Sequence, residues 1–198
     1  MKKLLITLAI FAAALVYFFY PAKVITYPPG VTAPSPPKQT NLVIKKKWNV
    51  KEFTIEALAK YDVKARVLSR DNYSLGKESE LSPFDLALGW GPMSDQSVID
   101  KIDVSQRDRW YFWETDMLPI PMKQISLNSA NTHIIPKDEN VEDEFDKVYK
   151  GSLIEMKGYL VKVTTAKGWH WKSSLRRDDT GGGSCELLWV EDLIVFDK

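Results

Sequence analysis

The hydrophobic pattern changes character twice along the chain. Leu4 to Tyr20, LLITLAIFAAALVYFFY, is an uncharged run of seventeen residues. As a helix rising ~1.5 Å per residue it reaches roughly 25 Å, enough to cross a hydrocarbon core. Residues 21–40 then hold six of the eleven prolines, a density that excludes helix and favours extended polyproline II. Two forms are expected for this segment: a stiff spacer reaching ~60 Å, or an arm laid against the domain through Val24 to Tyr27 and Val31.

From Asn41 a period of two takes over. Tyr61, Val63, Ala65 and Val67 share one face, with Asp62, Lys64 and Arg66 on the other, and Phe53, Ile55 and Ala57 begin the same alternation. This predicts half-buried antiparallel strands followed by a turn at Asp71 to Ser74. Ser82-Pro83-Phe84-Asp85 has the order of a helix N-terminus, with Gly89 and Gly91 to end it. Ser94-Asp95 caps a second short helix through Ile102, and Trp90 sits at a tight corner between them. Strands are expected at Arg109–Trp113 and Gln124–Ile135. Six acids fall between Asp138 and Asp146. Their spacing does not fit a calcium loop, whereas Val141, Phe145 and Val148 fit an amphipathic helix ending at Gly151. Ser152–Thr165, a turn at 166–168 and Trp169–Ser174 predict a hairpin, with Gly158 at a bulge or close contact. Cys185–Phe196 is a final strand interrupted at Glu191-Asp192. Together these elements predict a β-rich α+β domain: an antiparallel sheet or small barrel with two or three short helices, behind one N-terminal transmembrane helix.

Charge sharpens the division. The 198 residues carry 27 basic and 26 acidic side chains, but the first 41 hold four lysines and no acid, which leaves residues 42–198 at −3. A domain of that sign lacks the footprint of a phosphate-backbone binder, so no nucleic-acid partner is expected. Lys2 and Lys3 favour a cytoplasmic N-terminus, and Tyr17 to Tyr20 suit an aromatic belt at the far interface. The small triplet Ala12-Ala13-Ala14 lies too early for a signal-peptidase site, and no cysteine follows for lipidation. The chain therefore divides into a cytoplasmic N-terminus (1–3), an anchor (4–20), a proline-rich arm (21–41) and an extracytoplasmic domain (42–198). The expected location is the inner membrane, single-pass, with the domain in the periplasm or outside.

Candidate chemistry is sparse. The single cysteine excludes an intramolecular disulfide and any multi-cysteine cluster, and neither a metal site nor a cofactor is expected. His133 is the best-placed base, beside Asn131, although a structural histidine at a strand end is the commoner use of such a residue. Cys185 follows Gly181-Gly182-Gly183-Ser184, a flexible approach suited to a nucleophile. A buried small hydrophobe at the start of the last strand is the better reading of it. An L,D-transpeptidase pattern is not met: Glu186-Leu187 follows the cysteine, and no glycine follows His133. Arg176 and Arg177 offer forked donors for an anion in the loop from Ser173 to Ser184, where Ser173 and Ser174 are alternative nucleophiles. Trp169 and Trp171 share one side of a strand, as sugar- or peptide-binding rings do, although most of the seven tryptophans are expected in the core.

The segments LSPFDLALGWGPMSD, NTHIIP, GYLV and WKSSLRRDDTGGGSCE resemble a family of short membrane-anchored bacterial proteins of uncharacterised function. The resemblance spans most of residues 55–191 and implies one coherent domain with no activity attached. The expected function is a non-catalytic envelope module that binds a partner protein or a cell-wall component such as peptidoglycan. The alternative is an envelope hydrolase or transferase using His133 with Cys185 or Ser173/Ser174, and Arg176 as anion clamp.

Overall fold

The computed structural model describes residues 23–176, 179, 181 and 183–196. The apolar run at 4–20 and Arg177 lie outside the described residues, and no helix among those described is long and apolar enough to cross a membrane. Two short strands, β1 (Lys38–Asn41) and β2 (Lys47–Val50), pair antiparallel with β3 (Phe53–Asn72), whose twenty residues take in the first two of the turn expected at Asp71 to Ser74. Alternation along β3 follows the sequence: Tyr61, Val63, Ala65 and Val67 are all buried. Arg66, on the polar face, is buried as well.

The helix expected at Ser82–Gly89 is instead a strand, β4 (Phe84–Gly89), with all six residues buried. It is hydrogen-bonded on both edges, to β3 and to β7 (Ser129–Pro136). Two ladders outweigh the weak helical preference of FDLALG, since propensity amounts to tenths of a kcal/mol per residue. After β4 come a 3₁₀ turn, Gly91–Ser94, and the short helix α1 (Gln96–Ile99), capped by the Asp95 side chain on Ser97 N–H. A separate hairpin, β5 (Asp103–Arg107) and β6 (Trp110–Glu114), precedes α2 (Met122–Leu127), so the strand expected from Gln124 begins only at Ser129. The acidic segment forms α3 (Glu139–Glu144), N-capped by Asp138. Then β8 (Leu153–Thr165), β9 (His170–Lys172) and β10 (Glu186–Phe196) complete the chain.

The strands β3, β4, β7, β10 and β8 pair in that order, and β8 pairs back onto β3, so the sheet closes on itself. The expected all-antiparallel sheet is corrected at one seam: β7 and β10 run parallel, Leu187 beside His133. The cause is parity, because five strands in a closed circuit cannot alternate direction at every step. The barrel is accordingly mixed, with few short helices, consistent with the α+β class. Its interior holds Tyr61, Leu86, Ile134, Met156 and Leu188. Gly158 sits where β8 crosses β10. A Cβ there would lie 1.9 Å from the Trp189 carbonyl oxygen, so only glycine fits.

The proline-rich arm lies on the domain. Ile25 N–H donates to Lys150 O at 2.8 Å, Tyr27 N–H to Gln96 Oε1 at 2.9 Å, Gly30 N–H to Asp95 Oδ1 at 3.0 Å and Ala33 N–H to Ser94 Oγ at 3.0 Å. Residues from 23 onward are thus part of the domain's surface layer and not a free spacer.

Candidate functional site

Because side chains alternate along β4, packing Phe84, Leu86 and Leu88 inside the barrel turns Asp85 outward. Asp85 is nevertheless fully buried, since the β5–β6 hairpin and β9 cover this face. A second apolar cluster, with Ala87, Met93, Val104 and Ile125 at its centre and Tyr111 and Trp113 against it, seats the hairpin there. Between strands β5 and β6 the chain turns in two residues, Asp108 (φ 53°) and Arg109 (φ 68°). Both occupy the left-handed region that such a turn requires, and neither is glycine, so the turn holds on the order of 1 kcal/mol of strain per residue. The strain is offset by where it puts Arg109.

The Arg109 guanidinium donates from Nη1 to Asp85 Oδ1 at 2.8 Å and from Nη2 to the Ser82 carbonyl at 2.9 Å, and stacks 3.8 Å above the Tyr73 ring. Tyr73 in turn accepts the Arg109 backbone N–H on its hydroxyl at 3.0 Å. Burial pushes the Tyr73 phenol well above its usual range, outweighing the hydrogen bond from Arg109, with Asp85 adding to the rise. The second Asp85 oxygen, Oδ2, lies 2.9 Å from His133 Nδ1. The two atoms are close without a hydrogen bond between them, and neither has another hydrogen-bond partner. His133 packs against Trp171, ring centroids 4.7 Å apart. Asp85 thus faces Arg109 with one carboxylate oxygen and His133 with the other.

Beside this network a cleft of about 320 Å³ opens between Glu78, Trp110, His133, Trp169, Trp171 and Cys185. A second, of about 200 Å³, lies between Trp90, Trp113, Asn131, Arg176, Asp179 and Glu186. Trp110 and Cys185 border both, as do residues of the glycine loop. Trp110 is 40% exposed. Trp90 belongs to the wall of the smaller cleft, and its Nε1 is buried without a hydrogen-bond partner. Trp90 and Trp189 are buried in the core, and Trp48, Trp113, Trp169 and Trp171 pack half-buried against it, so the expected core role holds for six of the seven, while Trp90, Trp113, Trp169 and Trp171 also line the clefts.

The sequence-predicted residues divide. His133, Cys185, Asn131, Trp169, Trp171 and Arg176 do converge on the paired clefts. His170 projects to solvent. Cys185 Sγ accepts from Asn131 Nδ2 at 3.8 Å, and burial, partly countered by that bond, pushes the thiol up to about 11. Ser173 donates to Ser174 O at 2.8 Å and accepts from Leu187 N–H at 3.0 Å. Ser174 donates to Asp179 Oδ2 at 2.6 Å and accepts from Arg176 N–H at 3.0 Å. Ser173 therefore ties the loop to β10 and Ser174 stitches the loop to itself, and among the described residues no hydrogen bond joins His133 to Cys185, Ser173 or Ser174. No group of three or more His, Cys, Asp or Glu is placed to hold a metal ion among those residues.

Asp85, Arg109, Tyr73 and Trp110 were not found by sequence reasoning. Asp85 was legible as an anomaly, a lone acid within FDLALG, once that segment is read as a buried strand needing a cationic partner. No family model, curated protein or solved structure matches the chain.

Proposed function

We propose that this is a membrane-anchored envelope domain that binds a cell-wall glycan without catalysis, held in the inner membrane by residues 4–20 with its N-terminus inside. The observation that carries the reading is the pair of aromatic clefts meeting at Trp110 beside β7. Indole faces stack on the apolar faces of sugar rings, and Trp110, 40% exposed, offers such a face where the two clefts meet. The barrel connectivity adds support by analogy. A five-stranded Greek-key barrel that binds on the side of its second and third strands, with the loops after its first and fourth strands, is the architecture that takes oligosaccharides and oligonucleotides in OB-folds; here the β5–β6 hairpin and β9 cover those strands and the clefts lie in that added layer. Glu78 lies in the former loop here, and Trp169 and Gly183 in the latter. The −3 balance of residues 42–198 favours sugar over nucleic acid.

Binding to purified peptidoglycan and to soluble glycan fragments tests this. Trp110→Ala is expected to weaken retention at least about tenfold while leaving the melting midpoint near wild type. Retention of neither insoluble wall nor fragments by the wild-type domain would exclude the reading.

The hydrolase or transferase alternative draws on one observation, the Asp85–His133 contact beside the cleft that Cys185 borders. It requires substrate to bring His133 and a nucleophile together. Release of wall fragments that is abolished by His133→Gln and unaffected by Trp110→Phe would favour it.

A further inference from the structure

We infer that the domain rests directly on the bilayer, with the surface around Lys23, Val24, Tyr149 and Lys150 facing the lipid headgroups. This rests on the reading of residues 4–20 as an anchor.

The length of chain available decides it. Tyr20 ends the apolar run, and Lys23 is already part of the domain surface, its ammonium 4.6 Å above the Tyr149 ring. Val24 bridges Lys150. Three residues, fully extended, span only about 10 Å. The headgroup layer that they must traverse is itself several ångströms thick, the difference between a ~30 Å core and a ~40–45 Å bilayer shared by two leaflets. No slack remains for a tether.

The docked arm is built not to peel away. Arg66, with none of its surface exposed, donates from Nε to Gly151 O at 2.9 Å and from Nη2 to Gln96 Oε1 at 3.0 Å and Ile25 O at 3.3 Å, and its guanidinium lies 4.3 Å over the Tyr27 ring. The arm's path past Gly151 is so close that a Cβ there would lie 1.8 Å from Ile25 O. Undocking would take the Ile25 acceptor and the Tyr27 ring away from this guanidinium.

The surface suits an interface. Val24 is 53% exposed, and lysine over tyrosine is a pairing that keeps its ammonium among headgroups and its ring and stem at their apolar margin. Lys150 lies 3.9 Å from Asp103, so contact is imposed by the short connection and not by lipid charge. From Arg66, β3 runs six further residues to Asn72, roughly 20 Å at ~3.3 Å per residue. Leu75, 89% exposed, follows at that far end.

The test uses the full chain with Cys185→Ser, reconstituted in vesicles carrying a headgroup spin-label quencher, and a fluorophore on a cysteine replacing either Lys150 or Leu75. Quenching at position 150 is expected to exceed that at 75 several-fold and to persist in high salt. A flexible Gly/Ser insert of about ten residues after Ala22, r.m.s. span ~17 Å, should abolish the difference. Equally weak quenching at both positions, in protein that floats with the vesicles, would overturn the proposal while leaving the anchor intact. Protein that does not float with vesicles would overturn the anchor reading, and the proposal with it.

Discussion

Two arginines outside the barrel interior, Arg66 fully buried and Arg109 half-buried, are held in different ways. Arg66 is enclosed by neutral oxygens, the carbonyls of Gly151 and Ile25 and the Gln96 amide, and desolvation lowers its pKa from the ordinary arginine value. Arg109 is held by a carboxylate, reaches it from a strained turn, and borders a cleft. A charge surrounded by backbone carbonyls with no space beside it joins segments together. A charge balanced by Asp85, with His133 on that carboxylate's other oxygen and indoles around a cleft, leaves a shaped polar surface that a ligand can reach. The first arrangement explains why the arm is part of the domain, and the second why the hairpin sits where it does.

The contrast can be broken most severely at Arg66. Arg66→Met should cost about 4 kcal/mol, since three acceptors lose a charged donor inside the protein. Urea denaturation would show it, and a loss under ~1 kcal/mol would mean that the arm is not clamped as described. Cys185 sharpens the cleft side. With its thiol pushed up to about 11, alkylation at pH 8 should run on the order of a hundredfold slower than for a free cysteine; a rate matching a model thiol would revive the nucleophile. The same shift has a sign in stability. The folded thiol keeps its proton after an unfolded one, near ~8.5, would lose it, so its contribution is complete below ~8.5 and declines as pH rises toward 11. Denaturation midpoints above pH 9 should therefore fall more in wild type than in Cys185→Ala.

Asp85→Ala comes next, at about 2 kcal/mol, less than Arg66→Met because Arg109 can turn toward the cleft and rehydrate. It should also weaken glycan retention, since the hairpin carrying Trp110 loses its tie to β4; unchanged retention would separate the Arg109 network from the cleft. Smallest is Asp108→Gly, expected to stabilise by ~0.5 kcal/mol through relief of its positive φ. Calorimetry showing destabilisation there would mean that the Asp108 side chain has a role beyond the turn.

What the sequence determined by itself is what local periodicity encodes. The alternation of Tyr61 to Val67, the β8–β9 hairpin around Gly168, the Asp95 and Asp138 caps and the close contact at Gly158 each depend on residues near in the chain, or on a glycine that admits no substitute. His133, Cys185, Asn131, Trp169, Trp171 and Arg176 were identifiable as unusual residues for the same reason. Tertiary structure decided the rest. Phe84–Gly89 reads locally as a helix start and becomes a strand because both its edges find partners, β3 and β7, far away in sequence. Asp85 and Arg109, twenty-four residues apart, meet only because the hairpin folds back over that strand. Arg66, the arm and Gly151 come together from three separate segments. A buried charge is tolerated only where distant groups converge to satisfy it, and that convergence belongs to the closed barrel and not to any stretch of sequence.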